Sequence, residues 1–247
     1  MERKDFLKRG FTSLLGIAAI NPLVAACKSS TTVDPTVTTG TETGSTNGSS
    51  ASDCAISPSE TEGPFPTKVP ANFVRKDIRD NRTGVMMTMN ITIKNKNTSC
   101  AALAGAIVDV WHCDKDGYYS EYGGSGMQSV NFQTVDFLRG RQTTDASGLA
   151  AYTSIFPGWY SGRAPHIHVH VYNAAGKSLL VTQIAFPYAI ANTLYTTGQS
   201  YGYTKGAQDT LNERDNVFSD GFTTELATLS GSPSAGYTLA HTIVVNG

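Results

Sequence analysis

Tyr160, Arg163, His166 and His168 fall within the single stretch FPGWYSGRAPHIHVH, residues 156–170. Imidazole nitrogens and a phenolate oxygen are metal donors, and a guanidinium is a permanent positive charge that can steady a developing negative one. In an extended strand residues i and i+2 share a face. His166, His168 and His170 therefore point one way and Ile167, Val169 and Val171 the other. The aliphatic set belongs to a core. For an isolated His-X-His, a solvated strand face is the simpler reading. Here the histidines follow a Pro-Gly turn that carries a tyrosine and an arginine, and half of a metal site becomes the better account.

Such a site needs strands to hold it. VMMTMNITIKN, residues 85–95, sets Val85, Met87, Met89, Ile91 and Ile93 against Met86, Thr88, Asn90, Thr92 and Lys94, the period of a half-buried strand. GAIVDVWHC, LAAYTSI, HIHVHVYN, SLLVTQIAF and YTLAHTIVVN read the same way, with Gly, Asn, Asp and Pro between them. DASG, residues 145–148, reads as a turn. Many short strands joined by turns predict an all-β sandwich of mostly antiparallel strands with long loops at the active site. Residues 190–235 are polar and rich in Tyr and Gly, and read as surface loops with one short helix near TTELATL.

The 247 residues carry a formal net charge of −1, so composition offers no electrostatic case for nucleic acid or an anionic membrane surface. Residues 1–27 pair a charged start, MERKDFLKRG, with a modest apolar run that reads as an export signal. VAAC, Val24–Cys27, resembles a bacterial lipobox, with cleavage before Cys27 and lipid on its sulfur. RKDFLK resembles a twin-arginine signal in which Lys4 replaces the second arginine. Residues 28–53 are a Ser/Thr/Gly-rich tether with almost nothing to bury. A flexible chain of that length reaches about 25–30 Å. The expected order is signal 1–27, disordered tether 28–53 and one β-sandwich domain 54–247, exported and lipid-anchored to a bacterial membrane. With Cys27 lipidated, Cys54, Cys100 and Cys113 remain for one disulfide. Cys100 with Cys113 is the least favoured pair, because a strand between them would hold them about 25 Å apart. Cys54 is then the partner of one of them.

Further blocks accompany the histidines: SETEGPFP at 59–66, DVWHCDKDGYYSEY at 109–122, RGRQTTDASG at 139–148 and the TQ of LLVTQIAF. In this order they resemble the intradiol ring-cleavage dioxygenases, the family of the catechol and protocatechuate dioxygenases. Its pattern runs T-x-G-P, then V-D-(hydrophobic)-W-H with G-x-Y, then R-G-x-Q-x-T-D-x-x-G, P-G-x-Y, R-x-x-H-I-H and T-Q. The resemblance implies a non-haem Fe(III), one per chain, held by Tyr119, Tyr160, His166 and His168. It implies Arg163 and Gln183 as active-site partners and Thr61, Gly63, Pro64 and Phe65 as the border of the substrate pocket. Phe65 stands where several relatives have tyrosine, which removes a hydrogen bond to substrate. Two phenolates and a hydroxide would balance the charge of ferric iron, with two neutral imidazoles completing five ligands. Tyr118, His112 and His170 have no counterpart among the ligands.

The activity so implied is cleavage of a catechol between its hydroxyl-bearing carbons, with both atoms of O2 entering a muconate-type product. The interval between Tyr160 and His166 is shorter than in the catechol and protocatechuate enzymes, and their helical N-terminal dimerisation region is absent. Both departures point to a more open site suited to substituted catechols. A tethered sandwich also suits a non-enzymatic surface binding module, and a silent relative would keep the fold without the chemistry. The full set of ligand positions, with Arg163 and Gln183, favours the enzyme, and colour separates the readings, since ferric tyrosinate is wine-red.

Overall fold

The computed structural model describes residues 54–247. The export signal, the lipobox at Cys27 and the tether lie outside the described residues. Among the described residues the strands are β1 (Met86–Asn95), β2 (Ala101–Ala102), β3 (Ile107–Trp111), β4 (Arg139–Thr143), β5 (Leu149–Ile155), β6 (His166–Tyr172), β7 (Ser178–Ala185), β8 (Thr228–Ser232) and β9 (Gly236–Val245). A single α-helix, α1 (Tyr188–Thr197), follows β7.

Alternation in β1 does what its sequence demands. Met87, Met89, Ile91 and Ile93 are buried without residual exposure, and the residues between them face outward. β1 is the centre of one sheet. It pairs antiparallel with β5 and β2 along one edge and parallel with β9 along the other, and β9 carries β8. The second sheet runs β4-β3-β6-β7, antiparallel throughout. The two sheets close face to face over a core in which β1 meets Val108 and Val110 of β3 and Ile167, Val169 and Val171 of β6. The fold is the expected β-sandwich.

Three local expectations change. The segment TTELATL is not a helix: its last residues enter β8, where Thr228 faces Ala240 of β9. Edge pairing to a waiting strand overrides the weak helical character of that segment. The helix of this region is α1, bounded by Pro187 and Gly198 and burying Ala191, Leu194 and Tyr195 at helical spacing. β4, with the sequence RGRQT, was not among the expected strands, because it has no aliphatic residue from which to read a period.

Cys54 is bonded to Cys100, so Cys54 is the shared partner that strand geometry required. Cys113 is free and buried, and burial pushes its thiol well up. The disulfide anchors an N-terminal segment that crosses the molecule. Ser57 N–H donates to Val244 O at 3.0 Å, and Glu60 N–H donates to Val181 O on the outer edge of β7 at 2.8 Å. The segment thereby delivers residues 61–65 to the end of the second sheet where β3 finishes, β6 begins and β7 finishes.

Candidate metal centre

At that end the ladder aligns three side chains. Trp111 of β3 faces His168 of β6, and His168 faces Gln183 of β7. Trp111 stacks flat on the His168 ring, with centroids 4.8 Å apart and planes 3° from parallel. Gly63 passes close to the Cε1 corner of that ring. Its φ is +68°, and a Cβ there would lie 3.0 Å from His168 Cε1. Glycine permits both the backbone angle and the approach. His168 thus stacks on an indole and abuts a backbone turn.

His166 Nδ1–H donates to Ala164 O at 2.6 Å, which leaves Nε2 as the unprotonated nitrogen of a neutral ring. That Nε2 lies 3.1 Å from His168 Nε2 and 3.3 Å from Tyr119 Oη. Burial pushes both imidazoles well below the usual histidine range, and the nearby Arg163 charge acts in the same direction. A hydrogen bond between the two rings needs the His168 proton on Nε2, and it leaves the buried His168 Nδ1 without a partner. Donors about 2 Å from a shared ion at right to tetrahedral angles stand about 3 Å apart, which is the spacing found here. Among the described residues no group of three or more His, Cys, Asp and Glu comes together, so the convergence is of imidazole and phenol. That donor set suits a hard trivalent cation: burial holds the Tyr119 phenol well above its ordinary value, and only a bound cation would ionise it. The residues fit ferric iron.

Tyr119 reaches this point through a tight turn. Asp114 Oδ1 accepts from the N–H groups of Asp116 and Tyr118, both at 3.0 Å. Gly117 has φ of +91°, and a Cβ there would sit 2.2 Å from Trp159 O. Gln128 then brackets Tyr119, accepting from its N–H at 2.7 Å and donating to its C=O at 2.8 Å. Phe65 stacks on the Tyr119 ring with centroids 4.7 Å apart. Tyr118 turns the opposite way, half-buried beside Phe132.

Tyr160, Arg163 and Gln183 form the adjoining wall. Arg163 spends its guanidinium in three directions. Its Nε–H donates to both oxygens of Asp215, at 2.9 and 2.8 Å, and Nη2 donates to Gln183 Oε1 at 2.6 Å. Nη1 lies 3.4 Å from Tyr160 Oη. Gln183 Nε2 continues the chain to Thr61 O at 2.8 Å. Burial raises the Tyr160 phenol while the Arg163 charge opposes the rise. Over this wall opens a cleft of about 430 Å3, bordered by Thr61, Gly63, Pro64, Tyr160, Arg163 and Val217.

Three residues of the site escaped sequence reasoning. Asp215 is fully buried and also accepts from the N–H groups of Ala164 and Val217, at 2.7 and 2.9 Å. Gln128 is the bracket just described. Buried Arg139 donates to Ser120 O at 2.6 Å and to Phe65 O at 3.1 Å, locking the Tyr119 loop to the Phe65 loop. Burial lowers Arg139 to about 10, and Glu121 Oε2, 3.0 Å away, works against that fall. Arg139 opens the RGRQTTDASG block, so a signal for it existed; Gln128 and Asp215 sit in loops with none. His112 and His170 are structural. His112 bridges Cys113 O and Ser154 Oγ, each at 2.7 Å. His170 faces the Glu62 carboxylate at 3.1 Å and stacks on Tyr172.

Residues 62–197, more than half of the chain, match the family described as Dioxygenase. The chain belongs to the intradiol ring-cleavage dioxygenases. A chlorocatechol 1,2-dioxygenase of Rhodococcus opacus is 30% identical over 117 residues, 40% of this chain and 43% of that protein. The match to that curated relative thus spans less than half of its length. Among solved structures, an intradiol ring-cleavage dioxygenase from Tetranychus urticae superposes with a TM-score of 0.65 at 26% identity. It covers 78% of this chain and 95% of its own. The dioxygenase domain of a carbohydrate-binding fusion protein from Streptomyces sp. SirexAA-E superposes with a TM-score of 0.53 at 26% identity, covering 77% and 97%. The matched region of this intradiol family member holds Tyr119, Tyr160, Arg163, His166, His168 and Gln183. Asp215 lies beyond it.

Proposed function

We propose that this chain is an intradiol dioxygenase that cleaves a catechol with O2, using one Fe(III) held by Tyr119, Tyr160, His166 and His168. The observation that carries the reading is the meeting of two neutral imidazole nitrogens and a buried phenol at about 3 Å, beneath a cleft walled by Tyr160 and Arg163. Ferric iron bound there supplies a Lewis-acidic, electron-withdrawing centre that ionises phenols and makes a catechol ring reactive toward O2.

The chain's own residues supply orientation, charge and a proton acceptor. Tyr160, less buried than Tyr119, borders the cleft, and its Oη takes and holds a proton from a catechol hydroxyl. Arg163 keeps its charge at the same wall and stabilises the negative charge that develops on the substrate as the ring opens. Asp215 and Gln183 hold that guanidinium in one orientation, so it acts without reorganising. Phe65 offers the substrate an apolar edge and no hydrogen bond. Both oxygen atoms enter the product, a muconate-type dicarboxylate. The lipobox at Cys27 and the tether support export and anchoring to a bacterial membrane, and the Cys54–Cys100 disulfide accords with an oxidising compartment.

The test is iron content, visible spectrum and catechol-dependent O2 uptake on the full chain expressed with added iron. A wine-red protein with one iron per chain that consumes O2 with a catechol is the expected result. A red protein inert toward every catechol would mark a silent relative, and a protein that takes up no iron would mark a binding module. The register of the Tyr118–Tyr119 pair has its own check. Tyr119→Phe removes a ligand phenolate and is expected to shift or abolish the visible band, whereas Tyr118→Phe is expected to leave it in place. Exchange of these two outcomes would contradict the ligand assignment.

A further inference from the structure

Residues 156–165, between β5 and β6, carry Tyr160 and belong to no strand. Their backbone groups need partners from elsewhere. The helix α1 and the stretch after it supply them in sequence. Tyr203 Oη–H donates to Phe156 O at 2.7 Å, and Tyr195 Oη–H donates to Pro157 O at 2.9 Å. Lys205 Nζ donates to Trp159 O at 2.6 Å and stands 4.1 Å from the Trp159 ring centre. Beyond Tyr160, Asp209 takes over. Its Oδ2 accepts from Ser161 Oγ–H at 2.7 Å and its Oδ1 from Gly162 N–H at 3.2 Å.

The four side chains are of two kinds. Tyr195 and Tyr203 are buried and form part of the core beneath the turn. Lys205 and Asp209 reach in from the surface and hold the residues immediately before and after Tyr160. Hydrogen bonds with an ionised partner are roughly twice as strong as neutral ones. Lys205 also stands where two turns meet. A Cβ on Gly117, two residues before Tyr119, would lie 2.2 Å from Trp159 O and 3.1 Å from Lys205 Nζ. Both charged residues lie beyond the region matched to the family, residues 62–197.

We propose that Lys205 and Asp209 are positioning residues for Tyr160: gripping the backbone on its two sides, they set where its phenol stands between the candidate metal centre and the cleft. The inference rests on the intradiol reading and deepens it, by assigning a role at the site to the excursion after α1.

The experiment uses the full chain as wild type, Lys205→Met, Asp209→Ala and the two combined. Iron-loaded protein is read by its visible band, its rate of iron loss to excess EDTA and a thermal melt. Iron-free protein is read by amide hydrogen exchange at Gly158 and Arg163, whose N–H groups bond Asp114 O and Tyr160 O at 2.9 and 3.1 Å and touch neither altered side chain. Each substitution is expected to shift the band, and the pair to shift it further. The pair is expected to lose iron about tenfold faster, the lower end of the range for groups that orient a metal ligand. Exchange at Gly158 and Arg163 is expected to quicken. A purely structural role would lower the melt and leave the band in place, so a combined variant with the wild-type band and wild-type iron loss overturns the proposal. If the combined variant does not fold, the single variants are judged by the same band. A wild type that takes up no iron counts instead against the intradiol reading. Exchange in the iron-free proteins then decides: faster in the variants supports the positioning role, and unchanged removes it.

Discussion

His166→Ala and His168→Ala are each expected to give a protein without bound iron, without a visible band and without O2 uptake. Removing groups that merely orient a metal ligand weakens metal binding about 10–100-fold, so removing a ligand is expected to weaken it by at least about 100-fold. Each variant deletes one of the two nitrogens that meet at 3.1 Å. His170→Ala is the internal control on the same strand face. It lies about 13 Å along the strand from His166, too far to share an ion bound at about 2 Å. Its loss removes the contacts to Glu62 and Ser178, at 3.1 and 2.8 Å, and is expected to cost some stability while iron and colour remain. Iron analysis beside the absorption spectrum decides the matter. A colourless His170→Ala protein would mean that the strand is read in the wrong register.

Arg163→Ala is expected to keep the iron and lower turnover by about 10²–10³-fold, the usual cost of deleting one preorganised group that stabilises developing charge. The same substitution strands the Asp215 carboxylate, which is fully buried and receives two bonds from Arg163 Nε. Breaking a buried ion pair from one side costs about 3–5 kcal/mol, so thermal stability is expected to fall alongside activity. Arg163→Lys separates the two effects. A lysine restores the charge, but one ammonium cannot serve Asp215, Gln183 and Tyr160 in the three directions that the guanidinium fork spans. Stability is expected to recover more than turnover does. Steady-state O2 uptake, iron content and a thermal melt on the two variants measure these quantities, and full activity in Arg163→Ala would remove Arg163 from the mechanism.

Asp215 ties the long excursion after α1 to the chemistry. The excursion looks from its composition like dispensable surface, yet it supplies the counter-charge that holds Arg163 in place. Arg139 does a parallel service on the opposite side of the cleft, where it joins the Phe65 and Tyr119 loops through their backbone carbonyls. Two buried arginines, each held by an acid and by carbonyl or amide oxygens, flank the candidate metal centre.

Strand alternation in the sequence by itself pointed to the sandwich, because a residue in a pleated strand must face either core or solvent and β1 and β6 carry the two classes in turn. The same alternation decided which histidines share a face, and the ordered blocks around them named the candidate ligands before any coordinates. Elements without that signal stayed hidden: β4 has no aliphatic residue, and β8 is a strand only because β9 lies beside it to accept its hydrogen bonds. Tertiary structure alone decided that Cys54 bonds Cys100, that Gln128 brackets Tyr119 from nine positions away, and that Asp215 meets Arg163 across 52 residues. A lone acid or amide in a loop carries no period, and its partner is set by where the chain returns in space. Local pattern is written along the chain, whereas a buried charge pair exists only once distant segments have been packed together and water has been excluded from between them.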